Sequence, residues 1–197
     1  MLTIIRERGG WETGIDGACT MEELEYRIRL MVRGYFSNHD DTVLQGVFHL
    51  VQLWGGEHGR YIYVQGPAFD WADVGPCYRN LVRACLEEGR TLDSLSRKAK
   101  AFNTAMQIQG RRLGLSFITK HVHFWTTATR GRNALPIFDY IMARGLKLRP
   151  KWQHLPVYWQ GMEDKSRALG VSMDALERQL FNYFSGNASV EPASEIE

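Results

Sequence analysis

The chain has 197 residues and a mass of 22.6 kDa, with 44% hydrophobic, 12% aromatic and 23% charged residues. That apolar content excludes a disordered chain, and no run approaches the roughly 18 uninterrupted apolar residues of a membrane-spanning helix. The formal charge of +2 conceals an asymmetry: between Arg97 and Lys151 twelve basic residues face one acid, Asp139, for a local charge of +11, and the rest of the chain carries −9.

Helical periodicity governs the sequence. Thr20-Met21-Glu22-Glu23 reads as a capping box, and Leu24, Ile28, Met31 and Tyr35 mark one face of the helix it opens. Asp40-Asp41 precedes a second helix carrying Val43, Leu44, Val47, Phe48, Val51 and Trp54, stopped by Gly55-Gly56. Tyr61-Ile62-Tyr63-Val64 is a short strand candidate. A third helix is expected from Asp73, with Cys77, Leu81 and Cys85 inward and Gly89 at its end. A fourth carries Leu92, Leu95, Ala99, Phe102 and Met106, and Gly110 to Gly114 breaks its pattern. A fifth covers Ser116 to Trp125, followed by a polar loop from Thr126 to Asn133. Leu135 to Leu146 reads as helical, at least after Asp139, and Pro150 and Pro156 punctuate a connection. Ser172 caps a last helix with Leu176, Leu180 and Phe184. The expectation is one all-α domain over residues 1–186, two helical lobes flanking a cleft, with 187–197 a disordered acidic tail.

The first 20 residues carry Arg6, Glu7, Arg8, Glu12 and Asp16 and no apolar h-region, so no secretory signal is expected. Cys19, Cys77 and Cys85 form neither an even framework nor a CxxC pair, which points to a reducing cytoplasm and away from thiolate-held zinc or iron–sulfur clusters. No GxxxxGK[ST] or GxGxxG phosphate loop occurs, and Ser116 lacks a GxSxG setting. The basic span implies a polyanion partner, nucleic acid first, against the plainer alternative of a solvated basic face.

The informative stretch is Gly110 to Leu146, GRRLGLSFITKHVHFWTTATRGRNALPIFDYIMARGL. A glycine-punctuated basic turn joins two helices, Lys120 lies early on the second, and the lone acid Asp139 follows shortly after Pro136. An Asp there can cap the next helix with its carboxylate turned toward the earlier one. Taken singly, Lys120 also fits a surface lysine on an amphipathic helix, and Asp139 a plain N-cap.

SFITKHVHFW followed by PIFDYIMAR resembles the helix-hairpin-helix DNA glycosylase superfamily, in its bacterial oxoguanine-glycosylase-like branch. The resemblance is carried by residues 110–146 and extends by helix order from Asp41 to Phe184. It implies a hairpin that delivers Lys120 as nucleophile, with Asp139 as its electrostatic partner. Such a protein excises an oxidised or modified purine, 8-oxoguanine first, from double-stranded DNA as a monomer without metal or organic cofactor. A neutral amine attacks C1′ and displaces the base, ring opening leaves a Schiff base, and β-elimination of the 3′ phosphate adds a lyase activity. The carboxylate stabilises positive charge developing on the sugar. Burial and nearby cations would keep the amine uncharged, and the nucleotide must flip out of the duplex to reach it.

The same resemblance implies phosphate contacts from Arg111, Arg112, Gly114, Ser116, Thr119, His121, Arg130 and Arg132, with steeply salt-dependent binding. It implies a base pocket drawn from Gln179 and Tyr183, which share a face of the last helix, with Phe124 and Trp125. Gln179 and Tyr183 also fit an exposed glutamine and a core tyrosine. Trp152, Tyr158 and Trp159 are alternative stacking partners, and Gln107 and Gln109 could fill the gap left by the flipped base. The sequence departs from the family in its hairpin, Leu113-Gly114-Leu115-Ser116-Phe117-Ile118-Thr119, and at Phe124 and Ile141, where animal relatives carry a cysteine and a histidine. It also has no room for their N-terminal β-domain.

Three other readings stay open. A divergent pocket could accept a phage-type modified base in genome defence. A non-catalytic module could use the hairpin and basic face only. His121 and His123 could serve a metal-dependent hydrolase, provided they lie on a strand, because on a helix side chains two apart diverge by about 200°.

Overall fold

The computed structural model describes residues 4–7, 10–13, 18–56, 70–108, 110 and 113–186, with side chains from Thr20 onward. The expected strand at Tyr61–Val64, the tail from Asn187, and Gln109, Arg111 and Arg112 lie outside the described residues.

The body is all-helical. Eight α-helices occur among the described residues: α1 (Met21–Asn38), α2 (Asp41–Trp54), α3 (Trp71–Leu86), α4 (Leu92–Ile108), α5 (Leu115–Arg130), α6 (Tyr140–Gly145), α7 (Leu155–Leu169) and α8 (Met173–Ser185). Before them the chain forms a small antiparallel sheet, β1 (Ile4–Glu7), β2 (Gly10–Thr13) and β3 (Ala18–Cys19), in the order β1-β2-β3. The all-helical expectation did not include it, because runs this short show no alternation long enough to read as strands.

The helix starts follow their caps. Thr20 and Glu23 exchange side-chain and backbone hydrogen bonds in a full capping box on α1. Asp40 caps α2 and Ser172 caps α8. Asp70 caps α3, so that helix begins ahead of Asp73, which lies in its first turn.

Three expectations about the middle of the chain are corrected. Thr126 to Arg130 continue α5 and form no polar loop: the hydroxyl of Thr126 donates to the Val122 and His123 carbonyls, and that of Thr127 to Phe124, so these polar side chains bond back to their own helix. Leu135 to Phe138 are not helical; they form no regular secondary structure, and only Tyr140–Gly145 closes a short helix. Pro156 opens α7, in the first turn where a missing N–H costs nothing, and Gly170 ends it in the left-handed conformation.

Helix α5 is the axis of the fold. It packs against α1, α2, α3 and α4, and Ile118, Val122, Phe124 and Trp125 are fully buried along it. Helix α8 packs against α6 and α7. Phe184 of α8 lies so close over Gly145 that a side chain at that glycine would collide with its ring. No described helix is long and apolar enough to cross a membrane.

Candidate active site

Lys120 lies in the second turn of α5, on the side turned away from the deepest core. Its Nζ stands 4.3 Å from the centre of the Phe117 ring and 5.6 Å from that of Trp54, within cation–π range. The Phe117 ring is pressed against Gly55 at the end of α2, at a separation that leaves no room for a Cβ. Burial pushes the Lys120 ammonium below its ordinary range, and the neighbouring Asp139 carboxylate pulls the other way. Of the two causes the sequence suggested for a neutral amine, burial operates; the nearby charge acting on Lys120 is an anion.

Asp139 caps α6, its Oδ1 accepting from the Met142 amide at 2.8 Å. The irregular segment that presents it, Leu135 to Phe138, is tied down almost atom by atom. Leu135 N–H donates to Thr126 Oγ1 (3.0 Å), and His123 Nδ1–H donates to the Leu135 carbonyl (3.0 Å). The Pro136 carbonyl accepts from Trp159 Nε1 (3.0 Å), and Ile137 N–H donates to Glu177 Oε1 (2.7 Å). The Ile137 carbonyl accepts from the Tyr158 hydroxyl (2.9 Å), and Phe138 N–H donates to Thr119 Oγ1 (3.1 Å). A buried strap outside any helix or sheet must satisfy its backbone with side chains, and here six side chains from α5, α7 and α8 do so.

Lys120 and Asp139 line one cavity of about 350 Å³, at the small end of the range for ligand sites. Glu25 and Arg29 reach it from α1, Trp54 from α2, His123 from α5, and Asp174, Glu177, Arg178 and Phe181 from α8. Burial, reinforced by Asp174, Asp139 and Glu25, raises the Glu177 carboxyl to about 8, against the bond from Ile137. Burial also raises Asp174, whose Oδ1 is enclosed and has no hydrogen-bond partner among the described residues. Burial lowers His123 to about 4, so the ring is neutral; with Nδ1–H on Leu135, its Nε2 faces the Arg29 guanidinium at 3.5 Å.

Several residues expected at the site lie elsewhere. Gln179 and Tyr183 are exposed on the outer face of α8, Tyr183 at 71%, and neither lines the cavity. Glu177 and Phe181, at the same spacing two residues earlier, face it instead; the helical phase set by Met173 and Leu176 in the core would have shown this. Phe124 is fully buried beneath the site, edge-on to Trp54 at 5.2 Å. Trp125 is core, donating from Nε1 to the Tyr78 hydroxyl at 2.7 Å. Tyr158 and Trp159 bond the strap, and Tyr158 stacks on Phe138.

The expected phosphate contacts divide likewise. Thr119 and His121 are fully buried and meet no solvent. Arg130 pairs with Glu163, apart from the cavity. Gly114 and Arg132 are exposed and Ser116 partly so, as are Arg97, Lys98, Lys100, Arg144, Lys147, Arg149 and Lys151. His121 and His123 diverge on α5 as helical geometry requires. His121 has both ring nitrogens engaged, by the Gln52 amide (2.7 Å) and the Tyr78 hydroxyl (2.9 Å), which leaves no lone pair for a metal ion and removes the basis of the hydrolase alternative. The Glu177, Asp174, His123 and Arg29 group went unrecognised in the sequence, because its members come from three helices distant along the chain.

These buried groups set a pH dependence of stability. Below about 6.5 the unfolded chain protonates His121 and His123, which the fold holds neutral at about 3 and about 4. Each therefore weakens folding by up to about tenfold per pH unit on acidification. Glu177 acts oppositely: between its ordinary 4.5 and about 8 the folded chain holds a proton the unfolded chain has lost, so its contribution falls as pH rises through that window. Urea denaturation across this range is expected to show greatest stability near pH 6.5, with a decline toward 8 that Glu177→Gln abolishes. Stability that climbs between 6.5 and 8 would contradict this assignment.

No protein-family model matches the chain, and no curated protein and no solved structure matches it. The functional reading therefore rests on the cavity and on the residues that line it.

Proposed function

We propose that the protein is a DNA N-glycosylase with associated lyase activity, which releases an oxidised or otherwise modified purine from duplex DNA, 8-oxoguanine being the first substrate to test. The observation that supports it is the pairing of Lys120, its ammonium disfavoured by burial, with Asp139, an anion fixed on a bonded strap, in one cavity beside aromatic rings. Neutral Lys120 Nζ attacks C1′, the N-glycosidic bond breaks, and the base departs with its electron pair and takes up a proton. Asp139 opposes the positive charge that builds on the sugar. Ring opening leaves an imine between Nζ and C1′, from which the 3′ phosphate can be eliminated.

The base must leave the stack to enter the cavity, and the eight cations of the Arg97–Lys151 span that are exposed among the described residues suit the phosphates on either side. Borohydride present during turnover reduces the imine to a stable amine. A covalent protein–DNA adduct on an 8-oxoguanine duplex is the expected result, and a lesion panel that includes phage-type modified bases separates repair from defence. Tight, salt-sensitive DNA binding with no adduct and no base release on any substrate would instead mark a binding module.

A further inference from the structure

A second cavity, of about 690 Å³, opens at the other end of the α1–α2 hairpin from Lys120. Tyr35, Phe36 and His39 reach it from the end of α1 and Asp41 from the start of α2, while α3 closes it with Arg79 and Arg83. Helix α2 runs from Asp41 here to Trp54 at the first cavity, which sets the two about 20 Å apart at a rise of about 1.5 Å per residue.

The acids on its wall are already matched. Arg79 grips Asp41 through two bonds, at 3.1 and 2.5 Å, and Glu87 pairs with Arg90. Arg83 is exposed and meets no acid among the described residues. Tyr35 adds a donor. Its ring is fixed in the core, 4% exposed and edge-on to Trp125 at 5.2 Å, but its hydroxyl has no hydrogen-bond partner among the described residues. That hydroxyl lies within electrical reach of Asp41, Arg79 and Arg83, all on the cavity wall, so it is turned to the opening. Burial and Asp41 keep its proton on, against the two arginines. A fixed hydroxyl beside an uncommitted guanidinium offers an anion two kinds of donor. On the rim His39 holds the left-handed conformation, φ 53°, where glycine or asparagine is usual, with its ring edge-on to Tyr35 at 5.6 Å. Non-glycine residues kept in that region gather at ligand sites.

A bare phosphate would leave most of this volume unfilled, since small-molecule sites span roughly 300–1,000 Å³. Phe36, 44% exposed, and Leu86 give the cavity an apolar side suited to a ring. We propose that this cavity binds a free mononucleotide, its phosphate held between the Arg83 guanidinium and the Tyr35 hydroxyl and its base laid against Phe36. The site stands apart from the glycosylase reading, which the borohydride adduct tests by itself.

The test is isothermal titration calorimetry of the full chain with the four common ribonucleoside monophosphates, their parent nucleosides and inorganic phosphate. At least one monophosphate is expected to bind, with its nucleoside and inorganic phosphate each at least about tenfold weaker, because each lacks one half of the contact. Arg83→Gln should weaken that monophosphate about tenfold or more, and Tyr35→Phe about threefold to tenfold, with both variants checked by thermal melting. Lys120→Gln should bind it as the wild type does. Binding of none of the four, an affinity unchanged in either cavity variant, or a loss in Lys120→Gln, which would put the ligand in the other cavity, overturns the inference. So does displacement of the monophosphate by an unmodified duplex whose own affinity falls in Arg83→Gln, since that would make this wall a contact for the DNA backbone.

Discussion

Lys120→Gln is expected to give no borohydride-trapped adduct on any duplex and to lower base release by about 10⁴-fold or more, the scale on which removal of a nucleophile is felt. The loss should be chemical, because Nζ sits over the Phe117 and Trp54 rings in surroundings that disfavour its charge, so removing it leaves no buried partner stranded. The melting temperature should move little, and DNA affinity should persist through the exposed cations of the basic span. Asp139→Asn makes a graded companion. Asparagine caps a helix as well as aspartate does, so α6 should survive, while release falls roughly 10²–10³-fold with the loss of one preorganised charge. Removing the anion also removes what holds the Lys120 ammonium up, so the rise of the single-turnover rate with pH should move to lower pH. Retention of trapping by Lys120→Gln would end the assignment.

Trp125→Ala is the second large effect, and it falls on stability. The indole is fully buried on α5, edge-on to Tyr35 at 5.2 Å, and bonded to a Tyr78 hydroxyl that also meets His121. Truncating it should cost about 3–5 kcal/mol, a large part of the roughly 5–15 kcal/mol that holds a typical domain together. Equilibrium denaturation would read this as a fall in midpoint with little change in slope. Trp125→Phe keeps most of the packing and should cost less, and molecules that remain folded should retain wild-type kcat/KM. A selective rise in KM for lesion DNA in Trp125→Phe would return this residue to the base pocket.

Most helices were legible from the sequence because their apolar residues recur at three and four and their caps are strong, as at Thr20, Asp40 and Ser172. The missed elements share a cause. Pro156 reads as a break but serves as the first turn of α7, and the Thr126–Arg130 run reads as a loop until its hydroxyls are seen bonding back along α5. Lys120 and Asp139 could be picked out because each is conspicuous locally, the one on an apolar helix and the other the lone acid in a basic span. The opposite wall could not. Asp174 and Glu177 look like ordinary acids of an amphipathic helix; the phase of α8 turns Glu177 inward, but the strap and α1, which enclose the pair, leave no mark within that helix. His123 shows the same limit: beside His121 it reads as half of a pair, and only the tertiary fold separates a core imidazole from one at the cavity.

The strap has an evolutionary consequence. Glu177 both faces the cavity and gives Ile137 its acceptor, so the choice of ligand and the aim of Asp139 are coupled through one side chain. A descendant that shifts its preference by replacing Glu177 must still offer Ile137 an oxygen, which confines tolerated exchanges to glutamine, aspartate and few others. Asp174 carries no such second duty, and diversification of this pocket should therefore begin there.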